Sequence, residues 1–322
     1  MSVETEVVLD RRRLRRKMAS WRILAVLALL LAVGALLMSD KSLSGFLNKP
    51  QIARVSIVGT ILEDRRQLQL LREIAKADHV AGVLLFVNSP GGTTTGGEAL
   101  YTALRDVAEK KPVVAQFGTV AASAGYIVGL ATDHIVSRGN TITGSVGVLM
   151  QWPEVTELLG KIGVKMNEVK SGALKAEPSP FKVADQEALN VTAEMIDDGF
   201  KWFLSLVEAR RGITAAEVPG LKEGRIFSGR QAQDYKLVDE IGGEDEAVRW
   251  LKEKRGVPAN VEVVDWKVKD DSGWGLSASL SNLAAGLVGA GVAGLTQFAS
   301  RDGNLSSLSL DGLVSVWQPA KN

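Results

Sequence analysis

The sequence predicts an α/β fold with a largely parallel sheet, preceded by one transmembrane helix. Two segments, GVLLFV (82–87) and PVVAQF (112–117), are short, mostly apolar runs typical of strands that are covered on both faces. The segment between them, GGEALYTALRDVAEK (96–110), repeats its apolar residues at helical spacing. Nearer the N-terminus, sixteen residues from Ile23 to Met38 carry no charge. Together these observations indicate a membrane anchor followed by alternating strands and helices.

The predicted anchor covers residues 23–39 and follows a basic segment, residues 1–22, which holds seven basic and three acidic groups. A spanning helix needs about 20 apolar residues, although about 17 suffice when flanking side chains such as Arg22 extend towards the headgroups. Positive charge before the span predicts a cytoplasmic N-terminus and an extracytoplasmic body. A cleavable signal peptide is the alternative, but ALLMSD lacks the small-x-small pattern of a cleavage site. A buried core helix is less consistent with a run that is apolar on all sides.

After a linker, residues 40–52, the sequence predicts the main domain at residues 53–268. Its first half alternates strand-like and helical patterns, and this alternation predicts right-handed crossovers between parallel strands. The predicted strands are 52–61, 82–87, 112–117, 133–138 and 144–149, and the predicted helices are 64–78, 96–110 and one beginning near Ser123.

The second half of the domain is less regular. Residues 150–183 are mixed and rich in Gly, Pro and Lys, and a long helix is expected at 184–211. A turn, short helix and short strand follow at 224–243, then a helix from residue 244 and a strand at 261–266. The tail, residues 269–322, is rich in small residues, and we expect its segment LSNLAAGLVGAGVAGL to be a surface or interfacial helix rather than a second span.

Charge and composition exclude several functions. Beyond residue 22 the chain carries 31 basic and 34 acidic groups, so it lacks the basic excess that nucleic-acid binding requires. The 322 residues include no cysteine, which excludes disulfides and cysteine-bound zinc. We therefore expect no nucleic-acid partner. We also expect no metal site and no cofactor.

A serine at the junction of a strand and a helix is the first candidate for chemistry. Ser123, in GTVAASAGY, follows the strand PVVAQF and would lie at the carboxyl edge of the sheet, where open α/β folds place their sites. The turn NSPGG (88–92) follows the neighbouring strand and could point backbone amides at the same place. The more common explanations are a helix-capping serine and an ordinary tight turn.

The base that would activate Ser123 is harder to identify. His134 and His79 are both expected near the opposite edge of the sheet, so a Ser-His-Asp triad fails on geometry. A lysine can act as the base once desolvation lowers the pKa of its ammonium by several units from about 10.4. Five lysines lie downstream, and local chemistry does not choose among them: Lys161, Lys165, Lys170, Lys175 and Lys182.

Five motifs, in order, resemble the short bacterial form of the signal peptide peptidase A family: NSPGG, GTVAASAGYIVGLATDHI, NTITGSVGVLMQ, VKSGALKAEPSPF and GRIFSGRQAQDYKLVDEIGG. The resemblance covers residues 53–265 and implies a ClpP/crotonase-like spiral of strands and helices. It places the nucleophile at Ser123, the general base at Lys175, and the oxyanion-hole amides at Gly92 and Ala124. Many family members have glycine where this chain has Ala124, but a backbone donor survives that change.

The resemblance also implies a function and a setting. It predicts a membrane-anchored serine peptidase that cleaves remnant signal peptides and other hydrophobic segments at the inner membrane, with the catalytic domain on the extracytoplasmic side. It further implies a homo-oligomer in which neighbouring protomers share each active site. Trp152 is a candidate for lining a specificity pocket, although a tryptophan packed in the core is an equally good interpretation.

Two alternatives remain open. A crotonase-like acyl-CoA enzyme would use the same kind of oxyanion hole, but the predicted membrane anchor argues against it because CoA chemistry is cytoplasmic. A non-catalytic membrane-tethered scaffold that binds unfolded segments is the other, and the presence of both Ser123 and Lys175 argues against it.

Overall fold

The computed structural model of the chain describes residues 21–31, 49–268 and 314–316. The chain divides into two units, residues 1–50 and residues 51–322. In the first unit, residues 21–31 are helical. Within the described ranges, no helix has both the length and the apolar character needed to cross a bilayer. Residues 32–39 of the predicted anchor and residues 1–20 of the basic tail lie outside the described residues, so the anchor stays a prediction.

Strands and helices alternate through the second unit, as the sequence predicts. The strands are β1 (Gln51–Val58), β2 (Val80–Ser89), β3 (Gly91–Thr93), β4 (Val113–Ala122), β5 (His134–Ser137), β6 (Ile142–Gly144), β7 (Ile226–Ser228), β8 (Glu240–Ile241), β9 (Glu262–Asp265) and β10 (Val314–Val316). The helices are α1 (Arg65–Lys76), α2 (Thr94–Ala108), α3 (Ala124–Leu130), α4 (Thr156–Lys161), α5 (Gln186–Arg211), α6 (Gly229–Asp234) and α7 (Glu244–Arg255), with a 3-10 turn at Ala215–Glu217.

Eight strands form one sheet with the order β7-β6-β4-β2-β1-β9; β5 joins it beside β4, and β8 pairs with β5. All pairs are parallel except β6 with β7. The first half of β4 pairs with β5 and its second half pairs with β6. Its register against β2 also shifts, because Phe117 pairs with Val87 but Ala121 pairs with Ser89. The extra residues bulge at Gly118–Val120, so the strand changes partners where it changes direction.

Buried residues cover both faces of the sheet, which confirms the predicted layered α/β architecture. One core lies under α1, α2, α3 and α5, and its largest fully buried side chains include Phe117, Tyr126 and Phe203. The other lies under α7, where Leu251 packs with Ile52, Leu84 and Val114. Successive residues of β1 point to opposite faces of the sheet: Ala53 packs in the core under α1, α2, α3 and α5, and Ile52 packs in the core under α7.

The structure departs from the predicted elements in two places. The prediction of a strand at 144–149 is wrong, since β6 ends at Gly144. Gly144 and Ser145 both have positive φ (83° and 52°), and this turns the chain out of the strand. The second difference is a separate two-stranded sheet, in which β10 from the tail pairs antiparallel with β3. The predicted interfacial helix of the tail lies outside the described residues.

Candidate active site

Ser123 lies between the end of β4 and the start of α3, as the sequence predicts. Its backbone has φ 58° and ψ −122°, a conformation that costs a non-glycine residue on the order of 1–3 kcal/mol. The Ser123 N–H donates to the carbonyl of Gly144 at 2.9 Å, and its own carbonyl accepts from the amides of Tyr126 and Ile127, so both sides of the residue are fixed. The side chain does not cap α3. The simple helix-capping explanation therefore does not account for a serine held in this conformation.

The NSPGG turn lies beside Ser123 because β2 and β4 are parallel neighbours. Within the turn, the buried Ser89 hydroxyl accepts the N–H of Gly91 at 3.1 Å and lies 3.3 Å from the Gly91 carbonyl. Gly91 adopts φ 117°, which favours glycine. The Gly91 amide therefore points into the turn, and this residue shapes the loop.

Gly92 presents its amide on the open side of the turn. The carbonyl of Gly91 accepts from Ile61 N–H and the Thr93 N–H donates to the Ile61 carbonyl, both at 2.9 Å. Because backbone groups alternate along a strand, the N–H and C=O of Gly92 face the opposite side. That side is where Ser315 of β10 pairs with Gly92. The β3 edge can therefore hold an extended chain.

Ala124 is the other predicted donor of the oxyanion hole. It is fully buried and is the first residue of α3, where an amide has no partner within the helix. A side chain is not needed for this role, so alanine in place of glycine keeps the donor.

Neither histidine lies near Ser123. His134 pairs with Val114 at the start of β4, about 25 Å along the strand from the end that precedes Ser123. It stacks on Trp250 at a ring distance of 4.7 Å and lies 3.4 Å from a Glu240 carboxylate oxygen. His79 precedes β2 and stacks on Trp266. Within one chain, His134 therefore lies far from Ser123, at the opposite edge of the sheet, and His79 precedes β2 at that edge, as the sequence predicts.

The five candidate lysines differ in their surroundings. Lys170 and Lys182 both bind the carboxylates of Glu168 and Glu177. Hydrogen bonds to Glu168 and Glu177 raise the pKa of Lys170, which makes it a poorer base. Lys175 is exposed and makes no ion pair within the described part of the chain. It is not among the residues that line the cavity at Ser123 in one chain.

The cavity at Ser123 has a volume of about 540 Å³. Apolar side chains form much of its wall: Val146, Val148, Leu149, Ala193, Ile196 and Phe200. Its polar groups are Ser123 itself, Ser145, Asp197, Lys222 and Glu223. An apolar wall with a few polar groups is typical of a pocket that takes an apolar ligand side chain.

Sequence reasoning missed the polar members of this cavity. Ser145 follows β6, and since β6 pairs with the end of β4 it lies beside Ser123, with φ 52°. The glycine-serine pair that ends NTITGS is the local signal that could have revealed it. Lys222 and Asp197 come from distant segments and carry no local signal. Trp152 is not among the residues that line the cavity at Ser123; it lines another cavity with Met150, Gln151 and Pro153.

Comparison with known proteins shows the family of the chain. The family model for "Peptidase family S49" matches residues 105–258, and the model for "Clp protease" matches residues 46–139. The protein named "Putative protease slr0021" of Synechocystis sp. is 34% identical over 218 residues, which are 67% of this chain and 78% of that protein. The chain belongs to peptidase family S49. Membership makes it a serine peptidase, a hydrolase of peptide substrates.

Other members of family S49 match shorter shares of their own length. "Protease 4" of Haemophilus influenzae is 30% identical, over 73% of this chain and 40% of that protein. "Putative signal peptide peptidase SppA" of Enterococcus faecium is 33% identical, over 65% of this chain and 61% of that protein. Among solved structures, a ClpP1 mutant from Listeria monocytogenes aligns with a TM-score of 0.39 at 18% identity, over 61% of this chain and 94% of that chain, which is too distant for a residue-level argument.

Proposed function

We propose that this S49 peptidase is a membrane-anchored endopeptidase that uses Ser123 as nucleophile and Lys175 of a neighbouring copy as general base. The observation that carries the proposal is the strained backbone of Ser123 at the point where the ends of β2, β4 and β6 converge. Strained residues of this kind cluster at active sites, because the surrounding structure has to hold them in place. The amides of Gly92 and Ala124 are the oxyanion donors.

The chemistry proceeds in two steps through an acyl-enzyme. Neutral Lys175 accepts the hydroxyl proton as the Ser123 oxygen attacks the peptide carbonyl carbon, and the two amides donate to the oxygen that becomes negative. The C–N bond then breaks as the protonated lysine returns its proton to the leaving nitrogen. A water molecule, deprotonated by the same lysine, attacks the ester, and Ser123 regains its hydroxyl proton as the acid product leaves.

The base is assigned to a second copy because the segment that carries Lys175 faces solvent in one chain. This segment, residues 150–183, exposes several large apolar side chains, which is unusual for a surface that has no partner. They include Leu158, Ile162, Met166, Val169, Phe181 and Val183. A head-to-tail contact that brings this segment to the Ser123 cavity of the next copy would repeat around a closed ring.

The proposed substrates are extended, apolar peptides. The pairing of β10 with β3 supports this proposal, because adding an antiparallel strand to an exposed edge is a general way to bind an unfolded chain. The apolar wall of the cavity at Ser123 suits an aliphatic or aromatic side chain. Remnant signal peptides have both properties, and one relative carries the name signal peptide peptidase.

The proposed location is the cytoplasmic membrane, with the catalytic domain outside the cytoplasm. The support comes from the uncharged run Ile23–Met38 and the basic residues that precede it. Carbonate extraction of cell membranes should leave the protein in the pellet. Protease added to spheroplasts should digest residues 51–268 and spare an epitope placed before residue 22. Release by carbonate, or digestion only after lysis, would contradict this location.

A serine-directed acylating reagent tests the catalytic assignment. Ser123 of the wild-type protein should be labelled, and labelling should be lost in Ser123→Ala and strongly reduced in Lys175→Met. Lys222→Met is the necessary companion, because Lys222 lines the same cavity in one chain and is the rival base. Labelling that survives Lys175→Met and disappears in Lys222→Met would overturn the assignment of the base. No labelling of the wild type would favour the non-catalytic scaffold.

A further inference from the structure

The carboxylate of Glu177 is buried between two lysines, in a segment whose other side chains are mostly exposed. Its side chain is 1% exposed, against 49% for Glu168 nearby. The ammonium groups of Lys170 and Lys182 both bind it, the second at 2.6 Å, and the backbone N–H of Ser179 donates to it at 3.2 Å. A buried carboxylate is stable only when it is fully paired in this way.

The same carboxylate closes the loop that carries Lys175. Lys170 precedes this loop and Lys182 follows it, so the two contacts hold residues 171–181 as one closed segment. Within the segment, Lys175 N–H donates to the Gly172 carbonyl at 3.1 Å. The next residue, Ala176, has φ 60°, a left-handed conformation that an alanine adopts only at an energetic cost. The chain is thus bent sharply between Lys175 and Glu177.

We propose that Glu177 is a positioning residue for Lys175, which rests on the proposed function of Lys175 as the base. Glu177 fixes the closed loop and so sets the direction in which Lys175 leaves it. Because Lys170 and Lys182 occupy the carboxylate, it does not pair with Lys175 two residues away. An ammonium beside a carboxylate keeps its proton, and a base has to give its proton up.

The charged groups around Lys175 come from two places. On its own segment the four nearest in sequence are Glu168, Lys170, Glu177 and Lys182, two of each sign. Further along the segment lie Glu154, Glu157, Lys161 and Lys165. Across the proposed contact, the charged groups that line the cavity at Ser123 are Asp197, Lys222 and Glu223, and Asp197 is already paired with Lys201 at 2.5 Å. The net charge of the first group is zero only while Glu177 is ionised and both lysines are present.

The test compares pH–rate profiles of the full-length protein in lipid vesicles with a fluorogenic apolar peptide. Glu177→Gln should lower kcat by roughly 10- to 100-fold with little change in KM, since misplacing a catalytic group by about 1 Å has effects of this size. Glu168→Gln is the matched control, because the carboxylate of Glu168 binds the same two lysines but is exposed. It should stay within about twofold of the wild type, and Glu177→Asp should recover part of the loss.

The double variant Lys170→Met/Lys182→Met decides between a positioning role and a purely structural role of Glu177, because a purely structural role would not change the pH dependence of kcat. It frees Glu177 to pair with Lys175, and the acid limb of kcat should then move to higher pH. An unmoved limb, or a kcat for Glu177→Gln equal to that of Glu168→Gln, would overturn the inference.

Lys175→Met separates this inference from the proposed function. If Lys175→Met remains active, the assignment of the base fails, whatever the Glu177 variants do. If Lys175→Met is inactive while Glu177→Gln behaves like the wild type, only the positioning role fails. Thermal unfolding of Lys175→Met should stay close to that of the wild type, because Lys175 is exposed and lies outside both hydrophobic cores. The Glu177 variants and Lys170→Met/Lys182→Met change the pairing of a buried carboxylate, so their kcat is measured below their own unfolding temperatures.

Discussion

Replacing Gly92 by alanine should remove one oxyanion donor without touching Ser123. A Cβ at this position would lie 2.5 Å from the carbonyl carbon of Ile61 and 2.6 Å from its nitrogen, and closer still to its oxygen. Normal carbon contacts are about 3.5–4.0 Å, so β3 has to move by roughly 1 Å or more. An oxyanion donor works only at 2.7–3.1 Å from the oxygen it stabilises, and such a shift takes the amide out of range.

We expect Gly92→Ala to lower kcat by roughly 10²–10³, the usual effect of losing one such donor. Steady-state hydrolysis of an apolar peptide measures this, together with the urea midpoint of unfolding. Tyr126→Phe is the control, since it should destabilise the fold while leaving both amides in place. If the Gly92→Ala protein folds and keeps the kcat of the wild type, Gly92 is not an oxyanion donor.

Three further predictions concern stability and the tail. The Tyr126 hydroxyl is fully buried and donates to the Leu237 carbonyl at 2.7 Å, so Tyr126→Phe should cost about 1–3 kcal/mol of unfolding free energy in urea titrations; an unchanged midpoint would contradict this. A hydrogen bond from Arg54 lowers the pKa of Asp265, so its stabilising effect is present at neutral pH and fades as pH falls below about 4. The urea midpoints of wild type and Asp265→Asn should therefore differ at pH 7, and the difference should shrink as the pH falls below about 4. A difference that does not change with pH would exclude the ion pair as the cause. Removal of residues 313–322 should lower KM for extended peptides with kcat unchanged, because β10 and a substrate compete for one edge of β3; a KM equal to that of the full chain would show that they do not compete.

The sheet could be predicted from the sequence because its strands are covered on both faces. Runs such as GVLLFV have no polar side chain, and they leave few alternatives to a buried parallel strand. The placement of Ser123 followed from the same logic, since the residue after such a strand has to lie at the carboxyl edge. The strand predicted at 144–149 failed because apolar composition does not reveal the positive φ of Gly144 and Ser145.

The rest depends on contacts between distant segments. No pattern in the tail indicates that Ser315 pairs with Gly92, because the two residues are far apart in the chain. Lys222 reaches the cavity at Ser123 only through the folded arrangement of the loop that precedes β7. The lysines of residues 161–182 look alike in sequence, and only their ion pairs with Glu168 and Glu177 separate Lys170 and Lys182 from Lys175.

Mixing two inactive variants tests most directly whether the active site is shared between copies. Ser123→Ala and Lys175→Met should each be inactive alone. After co-expression in equal amounts, a head-to-tail assembly pairs an intact Ser123 with a neighbour's intact Lys175 at about a quarter of its sites. We predict that the mixed assembly regains activity to about that fraction of the wild type. Mixed assemblies that form, as judged by co-purification of two tags, but remain as inactive as the parents would contradict the shared site.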